Sequence, residues 1–304
     1  MCVMHFPPTL APGARVALVA PAGPLRDEQD LNRSVANVSS FGWAAVPGEH
    51  VLERDGYLAG SDEHRLGDLN RFLRDDSIDA IWCIRGGYGA MRLLEGIDYD
   101  ALTRRPKSII GYSDITALHA AVGRRCDLVS FHGATARAHL TPMTHESLAS
   151  MLSEPWEAFT IAQPAMTPLR RGTARGRLAG GNLALVAALA GTPYAPDLDG
   201  AILILEDVNE AVYRIDHMLT QLWLSGALRN IAGLAFGSFT EIPPGDDPAT
   251  VDRPLEGVLE EFAARCDVPS VSGFPVGHID DQNTYPLGAM AELSADDGVL
   301  VIER

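Results

Sequence analysis

Cationic side chains are scarce in this chain: Lys and Arg together number 24 against 40 Asp and Glu, a formal net charge of −16. A surface so acidic repels phosphate backbones and anionic lipid, which argues against nucleic acid or a membrane as partner. Cysteine is sparse as well. Cys2, Cys83, Cys126 and Cys266 stand far apart with no C-x-x-C pair, which excludes zinc ribbons and dithiol redox motifs. Cys83 sits in the apolar run Ile81-Trp82-Cys83-Ile84 and reads as a buried small hydrophobe, suited to a reducing compartment. No uncharged apolar run reaches the roughly 18 residues that a membrane span needs. Met1 to Pro12 carry no basic segment followed by an apolar one, so the expected location is cytoplasmic. His139, His145 and His217 lie outside any H-E-x-x-H spacing, so no metal is expected from them. Repeats and low-complexity tracts are missing too.

What remains is a chain of 304 residues, longer than one typical domain, 46% hydrophobic and 21% charged. That composition supports a sizeable core and two domains. Arg15–Ala20 is a short β-branched run ended by Pro21-Ala22-Gly23-Pro24, hence strand then loop. Helical spacing follows at Leu31, Val35 and Val38, and again at Leu66, Leu69, Phe72 and Leu73 behind Ser61-Asp62. Strands are expected at Ala80–Ile84, Ser108–Ile110 and Leu128–Phe131, with a helix over Ile115–Val122. Alternation of this kind implies right-handed βαβ crossovers and a mostly parallel sheet. Between about Pro155 and Gly176 the periodicity breaks around Gln163-Pro164 and Thr167-Pro168, as in a surface connection. The expected organisation is an N-terminal α/β domain over 1–154, a linker over 155–175 and a C-terminal domain over 176–304. The latter opens on a glycine turn at Gly180-Gly181-Asn182, then a strand Ala201–Leu205, a long helix Asn209–Leu224, a strand near Gly233–Gly237, a helix around Leu255–Arg265 and two closing strands.

Four segments carry residues fit for chemistry. Gly111-Tyr112-Ser113-Asp114-Ile115 joins a strand to a helix, which lifts a serine hydroxyl above a sheet with helix-start N–H groups nearby. It departs from G-x-S-x-G because Ile115 replaces the second glycine, and the bland reading is that Ser113 caps the helix while Asp114 complements its dipole. Arg85-Gly86-Gly87-Tyr88-Gly89 follows a strand, and its tandem glycines let N–H groups approach a developing oxyanion; an ordinary tight turn would look the same. The segment lacks G-K-[ST] and G-x-G-x-x-G, so it offers no phosphate cradle. Leu205-Glu206-Asp207 ends a buried strand with two carboxylates, one of which suits orienting an imidazole while the other caps a helix. Gly277-His278-Ile279 places a histidine in a loop, where a general base belongs. His119 falls inside a helix and reads as structural; His132 follows a strand and is a candidate for lining the cleft.

Gly111-Tyr112-Ser113-Asp114-Ile115-Thr116 resembles the nucleophile motif of the LD-carboxypeptidase family, which includes the microcin-immunity peptidases. Arg85-Gly86-Gly87-Tyr88-Gly89, Gly180-Gly181-Asn182-Leu183 with Gly191-Thr192-Pro193, Leu205-Glu206-Asp207, Tyr213-Arg214-Ile215-Asp216 and Gly277-His278 fall in the family's order. The likeness runs from Ala20-Pro21 to Pro286-Leu287-Gly288; where the family usually has Leu before Pro-Leu-Gly, this chain has Tyr285. It implies an α/β protein with an N-terminal parallel-sheet domain and a C-terminal β/α domain, the active site in the cleft between them. Ser113 matches the nucleophile, Glu206 the acid and His278 the base. The N–H groups of Asp114 and Gly87 match the oxyanion donors, while Arg85, Gly86 and His132 are the candidate substrate-binding residues.

The implied activity is serine-type hydrolysis of the L,D-amide before the terminal D-alanine of murein tetrapeptides, in peptidoglycan recycling, through an acyl-enzyme. It requires no cofactor and no metal, and the resemblance implies a homodimer. Two other readings stand beside it. One is a microcin-immunity peptidase cutting aminoacyl-nucleotide amides, whose extra aromatic loop has little room here. The other is a non-catalytic ligand-binding α/β protein that keeps the glycine turns.

Overall fold

A computed structural model describes residues 4–153, 155–244 and 253–304; Cys2 lies outside them. The chain opens with β1 (Arg15–Val19), α1 (Glu28–Ser40), β2 (Ala44–Pro47), α2 (Asp62–Arg74) and β3 (Ala80–Cys83). It continues through α3 (Tyr99–Arg104), β4 (Ser108–Gly111), α4 (Thr116–Cys126), β5 (Ser130–His132) and α5 (Pro142–Leu152). β3 and β4 are buried along their whole length, as strands covered on both faces must be. Helices α1, α2 and α5 begin at side-chain caps: Asp27 accepts the N–H groups of Gln29 and Asp30, Ser61 that of His64, and Thr141 that of Thr144 ahead of Pro142 at the first helical position.

Next come β6 (Ala158–Ala162), β7 (Thr167–Arg170), β8 (Thr173–Asn182), α6 (Leu183–Leu189), β9 (Ala201–Val208), α7 (Val212–Leu224) and β10 (Gly233–Thr240). The chain ends with α8 (Leu255–Cys266), β11 (Ser270–Ser272), β12 (Tyr285–Leu287), β13 (Met290–Ser294) and β14 (Val299–Glu303). Two compact units result: 1–156 with 283–288, and 157–282 with 289–304. The first holds a six-stranded sheet in the order β12-β5-β4-β3-β1-β2, parallel except for β12. The second holds an eight-stranded sheet, β6-β14-β13-β8-β9-β10-β11-β7, with β8 to β11 parallel. Its core packs Leu203, Leu205 and Phe236 against Ile215, Leu219 and Phe262. Among the described residues no helix is long and apolar enough to cross a membrane.

Three expectations change. The stretch 155–175 is not a bare connection, since β6 pairs with β14 and β7 with β11. Its Pro168 is tolerated because β7 is an edge strand, where a missing N–H costs no ladder bond. Gly180 and Gly181 form no turn; they end β8 opposite Ile204 and Leu205. A Cβ on Gly180, at φ +115°, would lie 2.0 Å from the Ile204 carbonyl oxygen, so glycine lets the two strands close. Helix α7 starts at Val212 rather than Asn209, because Asn209 takes a left-handed φ of +58° incompatible with a helical start.

Gly180→Ala should therefore lower the urea midpoint markedly, by about 2–4 kcal/mol of stability. Gly257, in α8 with open space where its Cβ would go, is the matched control: Gly257→Ala should stabilise by about 0.5–1 kcal/mol.

Candidate active site

β4 ends at Gly111, and the chain turns through Tyr112 into a single 3-10 turn, Ser113–Ile115, that leads into α4. Ser113 is held at φ +65°, a left-handed conformation that costs a side-chain-bearing residue on the order of 1–3 kcal/mol. Its hydroxyl caps neither the turn nor α4. The capping reading of Ser113 is therefore set aside. The turn carries no second glycine, and the reason is packing. A Cβ on Gly111 would lie 3.0 Å from Ile115 Cγ2, so Gly111 supplies the space that Ile115 fills.

The glycine turn after β3 comes up against this serine. A Cβ on Gly86 would stand 2.9 Å from Ser113 Cβ, 3.0 Å from its Oγ and 3.3 Å from the Asp114 nitrogen. Only glycine leaves that approach open. The Cα of Gly87, at φ +110°, instead faces Gly23, whose N–H donates to the Gly86 carbonyl at 3.0 Å. Arg85 reaches the loop after β1, where its Nη1 donates to the Pro24 carbonyl. Burial foremost, then the neighbouring Arg137, Arg26 and Arg54, pull its pKa below the ordinary guanidinium value. Arg85 forms no ion pair among the described residues.

Three buried side chains that the sequence does not single out for this role brace the turn. His119 of α4 has Nε2 2.8 Å from the Gly111 carbonyl and Nδ1 2.9 Å from Ser130 Oγ. Burial lowers its pKa to about 4, so the ring is neutral; Nε2–H donates to Gly111 and Nδ1 accepts from Ser130. Asp114 accepts the Ala90 N–H at 2.8 Å, and burial raises its pKa to about 6. Arg65, 2% exposed, donates to the carbonyls of Pro21 and Gly89, joining the loops that flank Gly86. Its signal in the sequence is faint: it lies on α2 among residues read only for their apolar stripe.

His132 needs correction as a residue facing a cleft. It has no solvent exposure; its ring stacks on Tyr285 at 4.7 Å and meets Tyr112 edge-on at 6.0 Å. β12 brings Tyr285 opposite His132, which seals the ring under the turn. The aromatic that replaces the usual Leu at 285 is thus interior.

The second unit joins two of the other candidates. Glu206, fully buried near the end of β9, places Oε2 2.9 Å from Nδ1 of His278. Gly277, at φ +123°, makes room: a Cβ there would stand 3.2 Å from both Glu206 Cβ and Oε2. Beside them the β9–β10 register shifts between Phe236 and Phe239, and Ser238 N–H donates to the Val276 carbonyl at 2.9 Å. Asp207 points elsewhere. It accepts the N–H groups of Ala184 and Val208 and the Asn182 side-chain amide, and so caps α6 rather than the helix that follows it. Burial raises its pKa to about 6.

Comparison with known proteins follows the same division. The LD-carboxypeptidase N-terminal domain model matches residues 16–133, and the LD-carboxypeptidase C-terminal domain model matches 175–293. The chain is 36% identical to the murein tetrapeptide carboxypeptidase of Pseudomonas aeruginosa, covering 93% of this chain and 94% of that one. It is 35% identical to the probable murein peptide carboxypeptidase of Bacillus subtilis, over 98% and 94%. It is 27% identical to the microcin self-immunity protein MccF of Escherichia coli, over 87% and 85%. Among solved structures, the muramoyltetrapeptide carboxypeptidase of Oxalobacter formigenes superposes with a TM-score of 0.84 at 30% identity, over 96% and 99%.

The neutral state of His119 sets a sign for stability against pH. Unfolded, this imidazole binds a proton near its ordinary value of about 6.5; folded, it does so only near 4. Its contribution is therefore complete above pH 6.5 and is lost as pH falls toward 4, about 2 kcal/mol being gone by pH 5. Urea unfolding of the parent and of His119→Gln at pH 7.5 and 5 should show the parent's advantage shrinking by that amount. An advantage that grows on acidification would mean a charged ring in the fold.

Proposed function

Since the chain belongs to the LD-carboxypeptidase family, we propose that it is a serine carboxypeptidase acting on murein tetrapeptides. In this reading it removes the terminal D-alanine. The observation that carries the serine mechanism is Ser113 itself, kept at φ +65° with its hydroxyl in no hydrogen bond among the described residues and Gly86 pressed against it. Such strain at an uncapped serine is what a nucleophile elbow stores. The relatives from Pseudomonas aeruginosa and Bacillus subtilis support the substrate class.

Ser113 Oγ attacks the carbonyl carbon of the L,D-amide while His278 Nε2 takes its proton. Glu206, hydrogen-bonded to Nδ1, selects the tautomer that leaves Nε2 basic and stabilises the imidazolium that forms. The N–H groups of Asp114 and Gly87 hold the oxyanion. The C–N bond then breaks, the departing D-alanine amine receives the proton from His278, and an ester remains on Ser113. Water, deprotonated by the same imidazole, hydrolyses that ester. Arg85 pairs with the terminal carboxylate; that it forms no ion pair among the described residues, and that Arg26, Arg54 and Arg137 outnumber Asp30 around it, support that role in so acidic a protein. The same reading makes the protein a cytoplasmic homodimer, in keeping with the family resemblance.

The likeness to MccF supports a second reading, cleavage of aminoacyl-nucleotide amides. Mass spectrometry separates the two: murein tetrapeptide should lose one alanine, and an aminoacyl sulfamoyl adenosine should remain intact. The reverse result would assign the second activity.

Ser113→Ala, His278→Ala and Glu206→Ala should each stay folded and lower kcat by on the order of 1000-fold, with losses that do not add because the three act together. Glu206→Ala should cost least. Near-normal turnover by His278→Ala, or failure of a serine-directed phosphonate to label Ser113, would remove the mechanism.

Arg85→Lys should raise KM for the tetrapeptide about tenfold or more, since an ammonium cannot form the paired bonds of a guanidinium. The parent enzyme should bind a C-terminally amidated peptide poorly. If it cleaves the amidated and free-acid peptides equally well, Arg85 only holds its loop.

A further inference from the structure

Away from Ser113, where the loop after β2 meets the start of α2, two histidines and a glutamate converge. His50 Nδ1 lies 2.8 Å from Glu53 Oε1, and His64 Nδ1 lies 2.7 Å from Glu53 Oε2. The three donor atoms all fall within 4.8 Å of one another, and the two rings stack at 4.1 Å, 10° from parallel. We propose that His50, Glu53 and His64 form a binding site for a divalent transition-metal ion of the zinc type. The proposal is independent of the hydrolytic reading.

The donor set decides the class of ion. Two imidazole nitrogens and one carboxylate suit zinc, cobalt, nickel or copper, whereas magnesium and calcium take all-oxygen shells. Adjacent donors around tetrahedral zinc stand about 3.3 Å apart, so the observed contacts need open by only about half an ångström to admit the ion. Three protein ligands leave a position for water. Without an ion the same contacts are Nδ1–H hydrogen bonds to the two Glu53 oxygens, which hold the three side chains together until a metal displaces those protons.

The surroundings are built to hold the ligands. His50 and Glu53 lie on one turn, closed by the Glu53 N–H to the His50 carbonyl at 3.0 Å. Buried Asp68 accepts the N–H groups of Glu49 and His50 at 3.0 and 2.8 Å, fixing that backbone as outer-shell groups do in metal sites. His64 sits in the first turn of α2, its N–H on Ser61 Oγ at 3.1 Å. Gly60, at φ +88°, clears the centre: a Cβ there would stand 2.5 Å from Glu53 Oε2. The side chains are half-buried, so an ion can enter.

The consequence is mechanical. Arg54 on the same loop donates to the Leu25 carbonyl at 2.8 Å, and the Ala59 N–H donates to Ala22 at 2.9 Å. Those residues flank Gly23, which bonds Gly86. An ion joining residues 50, 53 and 64 therefore braces the loop layer behind the glycine turn without touching Ser113.

The test uses the untagged full-length protein, stripped with a chelator and dialysed. Calorimetric titration with zinc chloride should show one saturable ion per chain, with a rise in Tm, and cobalt should give the visible absorption of a four- or five-coordinate complex. His50→Gln and His64→Gln keep a hydrogen-bonding amide beside Glu53, so the fold survives while a ligand is lost. Each should weaken zinc binding by on the order of 100-fold, and Glu53→Gln by about tenfold or more. His139→Ala and His217→Ala, at exposed positions, should bind as the parent does. Circular dichroism of each variant confirms folding. No saturable uptake by the stripped protein, or uptake unchanged in folded His50→Gln and His64→Gln, would overturn the site.

Discussion

A serine held in a left-handed conformation at the end of a buried strand relaxes unless every neighbour opposes it. Ser113 occupies that state at φ +65°, and the first unit is arranged around keeping it there. Two constraints act from the two ends of the turn. His119 takes the Gly111 carbonyl and so anchors the end of β4, while the Asp114 carboxylate takes the Ala90 N–H and anchors the start of α4. Each is a buried polar contact, and each is worth more than a surface bond because its loss would strand a partner without water. Together they offset a strain of on the order of 1–3 kcal/mol.

Glycine placement is the complementary constraint. Gly86 meets Ser113, Gly23 meets Gly86, Gly277 meets Glu206, and Gly180 meets the backbone of β9. At each of these points a methyl group would come within about 3.1 Å of a neighbouring atom. The motifs that stand out in the sequence are thus mostly statements about missing side chains, and the chemistry-bearing residues take their places from that missing volume. Ile115 shows the same logic inverted. The second glycine of the usual elbow is dispensable here because Gly111 leaves the cavity that Ile115 occupies.

Legibility followed from how local the physics was. The β-branched runs of β1, β3 and β4 and the capped, striped α2 were readable because their signals lie within one segment. Ser113, Glu206 and His278 were readable as candidates because each sits at a strand end or in a loop beside glycine. What stayed hidden depended on partners far along the chain. β7 looks like a linker until β11 pairs with it, and His132 looks accessible until Tyr285, more than a hundred residues later, stacks on it. Asp207 looks like a cap for the helix ahead, yet the N–H groups it satisfies belong to the helix behind. Three neighbouring residues of opposite promise, such as Leu205, Glu206 and Asp207, cannot be sorted without the strand register that sends alternate side chains to opposite faces.

The same argument explains why His50, Glu53 and His64 escape a reading built on spacing. H-E-x-x-H is recognisable because a helix puts residues four apart on one face. A turn over 50–53 and a helix residue eleven positions beyond Glu53 share no such period, so their convergence exists only in three dimensions. Charge makes the point sharper. In a chain of net charge −16 an exposed carboxylate ordinarily gains nothing by drawing in two more polar groups, and side-chain entropy opposes it. Glu53 gathers two imidazoles through direct hydrogen bonds, and with Gly60 cleared away and Asp68 fixing the backbone the three side chains stand ready for a third attraction at the centre. A metal ion supplies one, and its position behind the Ala22–Leu25 loop ties the rigidity of the glycine turn to a site that shares no residue with Ser113.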